Sequence, residues 1–161
     1  MIRPATTADA AAIATIYNHY VLNTIVTFEE EAVPVDEAAN RIAELLAAGW
    51  PWLVWEEAGQ VQGYAYANSW KSRCAYRFAL ETTIYLAKAA TGRGGGTLLY
   101  AALIDSLRPT RIHSLIGGVA LPNAGSVALH EKLGFVKIGQ FKEVGWKFDQ
   151  WIDVGYWELM L

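Results

Sequence analysis

The sequence is short of cysteine, of net charge and of long apolar runs, and each shortage removes a class of protein. Cys74 is the only cysteine among 161 residues. No internal disulfide can form, and a reducing compartment, the cytoplasm, is expected. The net charge is -3, and lysine and arginine never gather into a run or stripe, which argues against nucleic acid as a partner. No stretch approaches the roughly 18 unbroken apolar residues of a membrane span. The opening "MIRPATTADAAAIATIY" lacks a charged segment leading into an apolar one, so neither membrane insertion nor secretion is expected. No metal is expected either. What the chain has is 53% hydrophobic and 18% charged residues, enough to bury about two thirds of its unfolded surface around one core. Seven tryptophans and eight tyrosines supply packing surface.

Periodicity predicts one domain over residues 1–161. "MIRPA" is an opening strand, and Ile13, Ile16, Tyr17 and Tyr20 form the stripe of an amphipathic helix. Asp36 is expected to N-cap a second helix carrying Ala38, Ile42, Leu45 and Leu46, with Gly49 ending it. "PWLVWEE" and "VQGYAYANSW" read as strands joined by the hairpin "AGQ". A polar loop, "WKSRCAYR", leads to a strand from about Phe78 to Leu86. A glycine cluster then opens a helix with Leu98, Leu99, Ala102 and Leu103, which Pro109 ends. "RIHSLIGGV" is the next strand, "LPNAGSVALHEKLGF" a loop and helix stopped at Gly134. Two late strands close the chain, about Val136 to Trp146 and Trp151 to Met160. The order β-α-α-β-β-β-α-β-α-β-β describes a mixed α/β sheet.

The glycine cluster is the strongest chemical signal. Four of the five residues 92–96 are glycine, although glycine weakens a helix by roughly 0.5–1 kcal/mol. The spacing G-x-G-x-x-G fails at Thr97, and no Gly-Lys-Ser or Gly-Lys-Thr follows. A strand feeding a glycine turn feeding a helix still aims free N–H groups and the positive helix end at an anion. Arg93 adds a positive charge to the turn. The other reading is a helix start kept small for close packing on the sheet.

Strand, "TGRGGGTLL" and helix together resemble the acyl-CoA pyrophosphate loop of the GCN5-related N-acetyltransferases (GNAT), written Q/R-x-x-G-x-G/A. Gly94 and Gly96 match its small positions; Thr91 stands where glutamine or arginine is usual, and Gly95 where an apolar residue is usual. "PNAGSVALHEKLGF" is similar to the family's second conserved segment. "YNHYV", "VTF", "PWLV", "WKSRCAYRF", "LETTIYL" and "KFDQWIDVGYW" resemble the phosphinothricin and methionine sulfoximine acetyltransferase subfamily. The resemblance implies the single-domain GNAT fold and acetyl-CoA as co-substrate. It places Gly92, Arg93, Gly94, Gly95, Gly96 and Thr97 on the pyrophosphate, and Ile84, Tyr85 and Leu86 beside the pantetheine. Asn123 and Ser126 would meet the pantetheine and adenosine side. Homodimers are common in the family, so a homodimer is implied here too.

Moving acetyl from a thioester to an amine needs a neutral nitrogen. An amine titrating near about 10.4 costs roughly 4–5 kcal/mol to deprotonate at neutral pH. A carboxylate can take that proton. Glu81 sits in mid-strand in "ALETTIYL", where a charge between apolar neighbours requires a reason. Alternation places it on one face with Thr83 and Tyr85, and the resemblance makes it the catalytic glutamate. An exposed or salt-bridged strand carboxylate is the alternative. A backbone N–H of residues 84–86 is the expected oxyanion donor. His130 stands where most relatives have a proton-donating tyrosine; an imidazole could shuttle that proton, or could simply pack in the core. His19 and His113 are assigned to structure.

Lys71, Ser72 and Arg73 in "WKSRCAY" would meet the acid group of an amino-acid-like substrate, since arginine's fork suits a carboxylate or phosphinate. Phe28 and Tyr76 would line that pocket, with Thr83 on the same side; a solvated basic loop is the alternative. Cys74 is read as a bystander, and Trp146, Phe148, Trp151, Tyr156 and Trp157 as core or dimer surface. The expected activity is direct transfer to a small amino-acid analogue in a ternary complex. The rivals are peptide or protein N-terminal acetylation and a non-catalytic acyl-CoA-binding module.

Overall fold

The computed structural model describes residues 1–161. Seven strands and four helices follow the expected order: β1 (Ile2–Pro4), α1 (Ala10–Asn23), α2 (Val35–Ala47), β2 (Trp52–Glu57), β3 (Gln60–Ser69), β4 (Ala79–Leu86), α3 (Gly95–Leu107), β5 (Ser114–Leu121), α4 (Ala124–Lys132), β6 (Val136–Lys147) and β7 (Gln150–Met160). The sheet order is β1-β2-β3-β4-β5-β7-β6. β4 and β5 pair in parallel, whereas β1 with β2, β2 with β3, β5 with β7 and β6 with β7 are antiparallel. The α/β expectation therefore holds.

Two compact units divide the chain. The first comprises Met1–Asn18, Val33–Asn68 and Thr82–Arg111. Its core takes Ile13 and Ile16 from α1, Ile42 from α2, Val54 and Ala65 from the hairpin, and Leu99, Tyr100 and Leu103 from α3. Thr82 and Tyr100 share a buried hydroxyl–hydroxyl bond of 2.6 Å, which fixes α3 on β4. Arg3 ties β1 to the start of α1 through Asp9 at 2.7 Å and to β2 through Glu56 at 2.8 Å.

The second unit comprises His19–Ala32, Ser69–Glu81 and Ile112–Leu161. Leu80, Leu115, Val119, Phe135, Ile152 and Trp157 form its core.

Local sequence explains most boundaries. Gly49 and Gly134 have φ of +82° and +92°, the left-handed conformation that ends a helix. The cap of α2 differs from expectation: Pro34, not Asp36, is the N-cap residue. Proline's fixed φ holds the extended entry, and Asp36 and Glu37 fall in the first turn, where their charges favour the positive helix end.

Both hairpins turn through two left-handed residues, Ala58–Gly59 and Phe148–Asp149. This is the geometry that matches strand twist, and it favours glycine at the second position. Asp149 holds φ +56° without being glycine, at a cost of up to about 1–2 kcal/mol. Asp149→Gly is expected to raise Tm by about 1–3 °C in a chain of this size. A fall in Tm, measured by scanning calorimetry, would contradict the strain.

Candidate active site

The residues 91–97 show why four glycines crowd one helix start. Gly92 and Gly94 have φ of +74° and +82°, and a Cβ on either would meet open space. Their glycine character serves the backbone turn. Gly95 and Gly96 serve packing instead: a Cβ on Gly95 would run into the Trp55 ring, and one on Gly96 would lie 2.8 Å from Leu86 Cδ1. Close packing therefore accounts for Gly95 and Gly96, and the left-handed turn for Gly92 and Gly94. The ring of Trp55 also explains why Gly95 departs from the usual apolar residue.

Gly94 is the N-cap of α3, and the N–H groups of Thr97 and Leu98 donate back to its carbonyl at 3.1 and 3.4 Å. The amides of Gly95 and Gly96 lie in the first turn, ahead of any carbonyl one turn back. They add to the positive end of the helix.

Two neighbours are engaged within the protein. Arg93 is not a free cation in the turn; its Nη2 bonds Glu57 at 2.7 Å and its guanidinium lies 6.0 Å from the Trp55 ring. Thr91 donates through Oγ1 to the Lys88 carbonyl at 2.8 Å, closing the short turn before the glycines.

β4 supplies the next residues. The Tyr85 ring packs edge-on against Tyr17 at 5.2 Å and tilted against Tyr64 at 5.7 Å. Leu86 fits against Gly96 and Gly63, where a side chain on either glycine would clash. In this unit the side chains of 85 and 86 hold the turn and strand together.

In the second unit, Glu81 is paired opposite Ile116 on β5. Burial pushes its carboxyl above the usual glutamate range, and the nearby Lys71 ammonium partly opposes that. A Cβ on Gly118 would lie 3.2 Å from Tyr156 Cε1 and 3.8 Å from Glu81 Oε1. Glu81, Tyr156 and the bare backbone of Gly118 thus meet at one spot. Burial, and then the Glu81 charge, raises the Tyr156 hydroxyl, keeping it protonated. Trp70 packs edge-on to Tyr156 at 5.8 Å, and Lys71 Nζ sits 4.7 Å over the Trp70 ring.

Tyr156 was expected only as core or interface. The signal that could have found it is the Gly117–Gly118 pair inside β5, because glycine within a strand marks close approach. Gly118 stands opposite Tyr156 in the β5–β7 register.

The remaining expected residues are distributed more widely. Ser72 and Arg73 are exposed, Arg73 at the start of the short turn Cys74–Tyr76, where Tyr76 is also exposed. Lys71 is the loop cation whose charge reaches Glu81. The Phe28 ring, 41% exposed, lies against Gly145. Thr83 is half-buried on the Glu81 side of the strand alternation.

Asn123 caps α4, its side-chain oxygen accepting the Ser126 N–H at 3.1 Å. His130 is 4% exposed, with Nδ1 2.8 Å from the Ser126 carbonyl, its ring edge-on to Phe135 and its Nε2 edge filling the space a Gly117 side chain would need. Burial depresses its pKa, so the imidazole is neutral at pH 7.

In the first unit β4 runs into a left-handed glycine turn and a helix whose N-cap, Gly94, supplies no side-chain cap, and in the second unit Glu81 is a half-buried carboxylate. The acetyltransferase (GNAT) domain model matches residues 2–155, and the chain belongs to that family. It is 40% identical over 157 residues to a phosphinothricin N-acetyltransferase of Streptomyces viridochromogenes, covering 98% of this chain and 85% of that protein. It is likewise 40% identical over 163 residues to an L-methionine sulfoximine/L-methionine sulfone acetyltransferase of Salmonella typhimurium, covering 99% and 94%. A putative acetyltransferase from Salmonella typhimurium, solved with its cofactor acetyl-CoA, superposes with a TM-score of 0.97 at 38% identity, covering 100% of this chain and 93% of that one.

Proposed function

We propose that the protein transfers acetyl from acetyl-CoA to the amino group of a small amino-acid analogue of the phosphinothricin or methionine sulfoximine type. The amides of residues 92–97 hold the coenzyme's pyrophosphate, and the main chain of residues 84–86 runs beside its pantetheine. Glu81 takes a proton from the acceptor's ammonium, directly or through one water. The neutral nitrogen attacks the thioester carbonyl, and a β4 backbone N–H stabilises the oxyanion. Collapse breaks the C–S bond and expels the coenzyme thiolate; the second nitrogen proton leaves, and the thiolate is protonated. No acyl-enzyme forms.

The observation that carries this reading is the raised, half-buried Glu81 carboxylate beside Lys71, Tyr156 and Gly118. A base is most effective when its pKa approaches the working pH. Lys71, with Ser72 and Arg73, receives the acceptor's acid group, and Phe28, Tyr76 and Thr83 line its side chain. His130 is read as packing rather than as proton donor, because it is neutral and enclosed. Asn123 and Ser126 extend the coenzyme site while capping α4.

Val136, Ile138, Phe141 and Trp146 on the edge strand β6, with Trp151 on β7, are all exposed, and a patch of this kind suits a second copy of the chain. The exposed, unpaired Cys74 thiol suits the cytoplasm.

The test is thiol release from acetyl-CoA with phosphinothricin, methionine sulfoximine and methionine sulfone beside a set of peptides. Turnover with the small acids supports the reading. Turnover with peptides alone supports N-terminal acetylation, and coenzyme binding without any turnover supports a binding module. Light scattering reads the dimer.

A further inference from the structure

Lys147 is the chain's most unusual charge. It lies at the end of β6 with 1% of its surface exposed, and an ammonium taken out of water is costly unless a specific bond compensates it. Its Nζ donates to the Thr27 carbonyl at 2.7 Å and lies 5.1 Å from the Phe148 ring. Burial lowers its pKa, and the Glu30 carboxylate opposes that fall.

Two residues earlier in β6, Gly145 presents bare backbone to the Phe28 ring, which a Cβ there would strike. The end of β6 therefore meets the segment 27–30 at three points: the Thr27 carbonyl, the Phe28 ring and the Glu30 charge. Methionine or leucine could fill the Lys147 site without any desolvation penalty. What they could not supply is the donor to Thr27. None of these contacts involves Glu81 or the glycine turn.

We infer that Lys147 is a positioning residue that, with Gly145, fixes the placement of Phe28 and thereby sets which acceptor side chains the enzyme takes. This rests on the reading that Phe28 lines the acceptor pocket of an N-acetyltransferase. Lys147 and Gly145 themselves touch neither acceptor nor coenzyme; they act through the segment they hold.

The test uses Lys147→Met, which keeps length and loses the donor, and Gly145→Ala, which keeps the donor and displaces the ring. Both are expected to raise KM for methionine sulfone at least tenfold, with kcat changed less than threefold and KM for acetyl-CoA unchanged. The ratio of kcat/KM for methionine sulfone to that for phosphinothricin is expected to shift at least fivefold. Hydrogen exchange of the amides in residues 26–31 should accelerate at least tenfold in Lys147→Met, while those of α3 stay protected.

Unchanged acceptor KM in both variants, or equal rises in both KM values, would overturn the inference. So would unchanged exchange in residues 26–31. If Lys147→Met does not fold, Gly145→Ala decides on kinetics alone. If the unmodified protein acetylates none of these acceptors, the functional reading fails, and exchange still decides whether Lys147 holds the segment.

Discussion

Glu81→Gln is expected to lower kcat by about 10²–10⁴-fold, the usual worth of a positioned general base, while KM for acetyl-CoA stays unchanged. Glutamine keeps the shape of the side chain and cannot take a proton. The residual rate should come from binding and from the β4 oxyanion donor. The pH dependence should separate this from a packing defect. A base must be ionised, so kcat/KM of the unmodified enzyme should rise with pH along a limb above the usual glutamate range, because burial raises the Glu81 pKa. Glu81→Gln should lose that limb.

The same shift carries a stability consequence of opposite sign. A carboxyl whose folded pKa lies above its unfolded value holds its proton more tightly in the folded state. Its contribution is most favourable below the unfolded pKa and is lost as pH rises through the folded pKa. Glu81→Gln should therefore raise Tm at pH 7, with the gain fading as pH falls below the ordinary carboxylate range. A variant that is slower and more stable at once fits a base held in a desolvated place for its chemistry. A variant slower and less stable would point to a structural carboxylate.

Gly95→Ala is expected to lower Tm by about 2–12 °C and to weaken acetyl-CoA binding. A Cβ there collides with the Trp55 ring, and overpacking of this kind costs about 1–3 kcal/mol, which translates at roughly 2–4 °C per kcal/mol at this chain length. Relief requires Trp55 or the start of α3 to move, and the second displaces the amides proposed to hold the pyrophosphate. Combining Gly95→Ala with Trp55→Leu should restore both Tm and binding, because the obstructing ring is removed. Gly94→Ala separates the two uses of glycine. It meets no neighbour but must hold φ +82°, so Trp55→Leu should not rescue it. Rescue of both variants, or of neither, would contradict the division of the glycines into turn and packing members.

The features legible in the sequence are those that local chemistry sets. The α1 stripe, the left-handed stops at Gly49 and Gly134, the "AGQ" hairpin and the alternation of β4 each depend on residues within a few positions. The glycine turn at the start of α3 was legible for the same reason. What escaped the sequence depends on partners far along the chain. Arg93 meets Glu57, Glu81 shares its space with Gly118 and Tyr156, and Lys147 meets Thr27. Each needs a strand register or a returning segment that no periodicity encodes. The α2 cap failed for a local reason: Pro34 and Asp36 both suit a helix start, and proline's fixed backbone decided the position.

Main-chain amides at the start of α3 are proposed to bind the pyrophosphate of coenzyme A. A crystal structure of the protein with coenzyme A tests it most directly. Phosphate oxygens are expected within about 3 Å of amide nitrogens in residues 92–97, with the pantetheine running along residues 84–86. Phosphates bound anywhere else, with that turn empty, would contradict it.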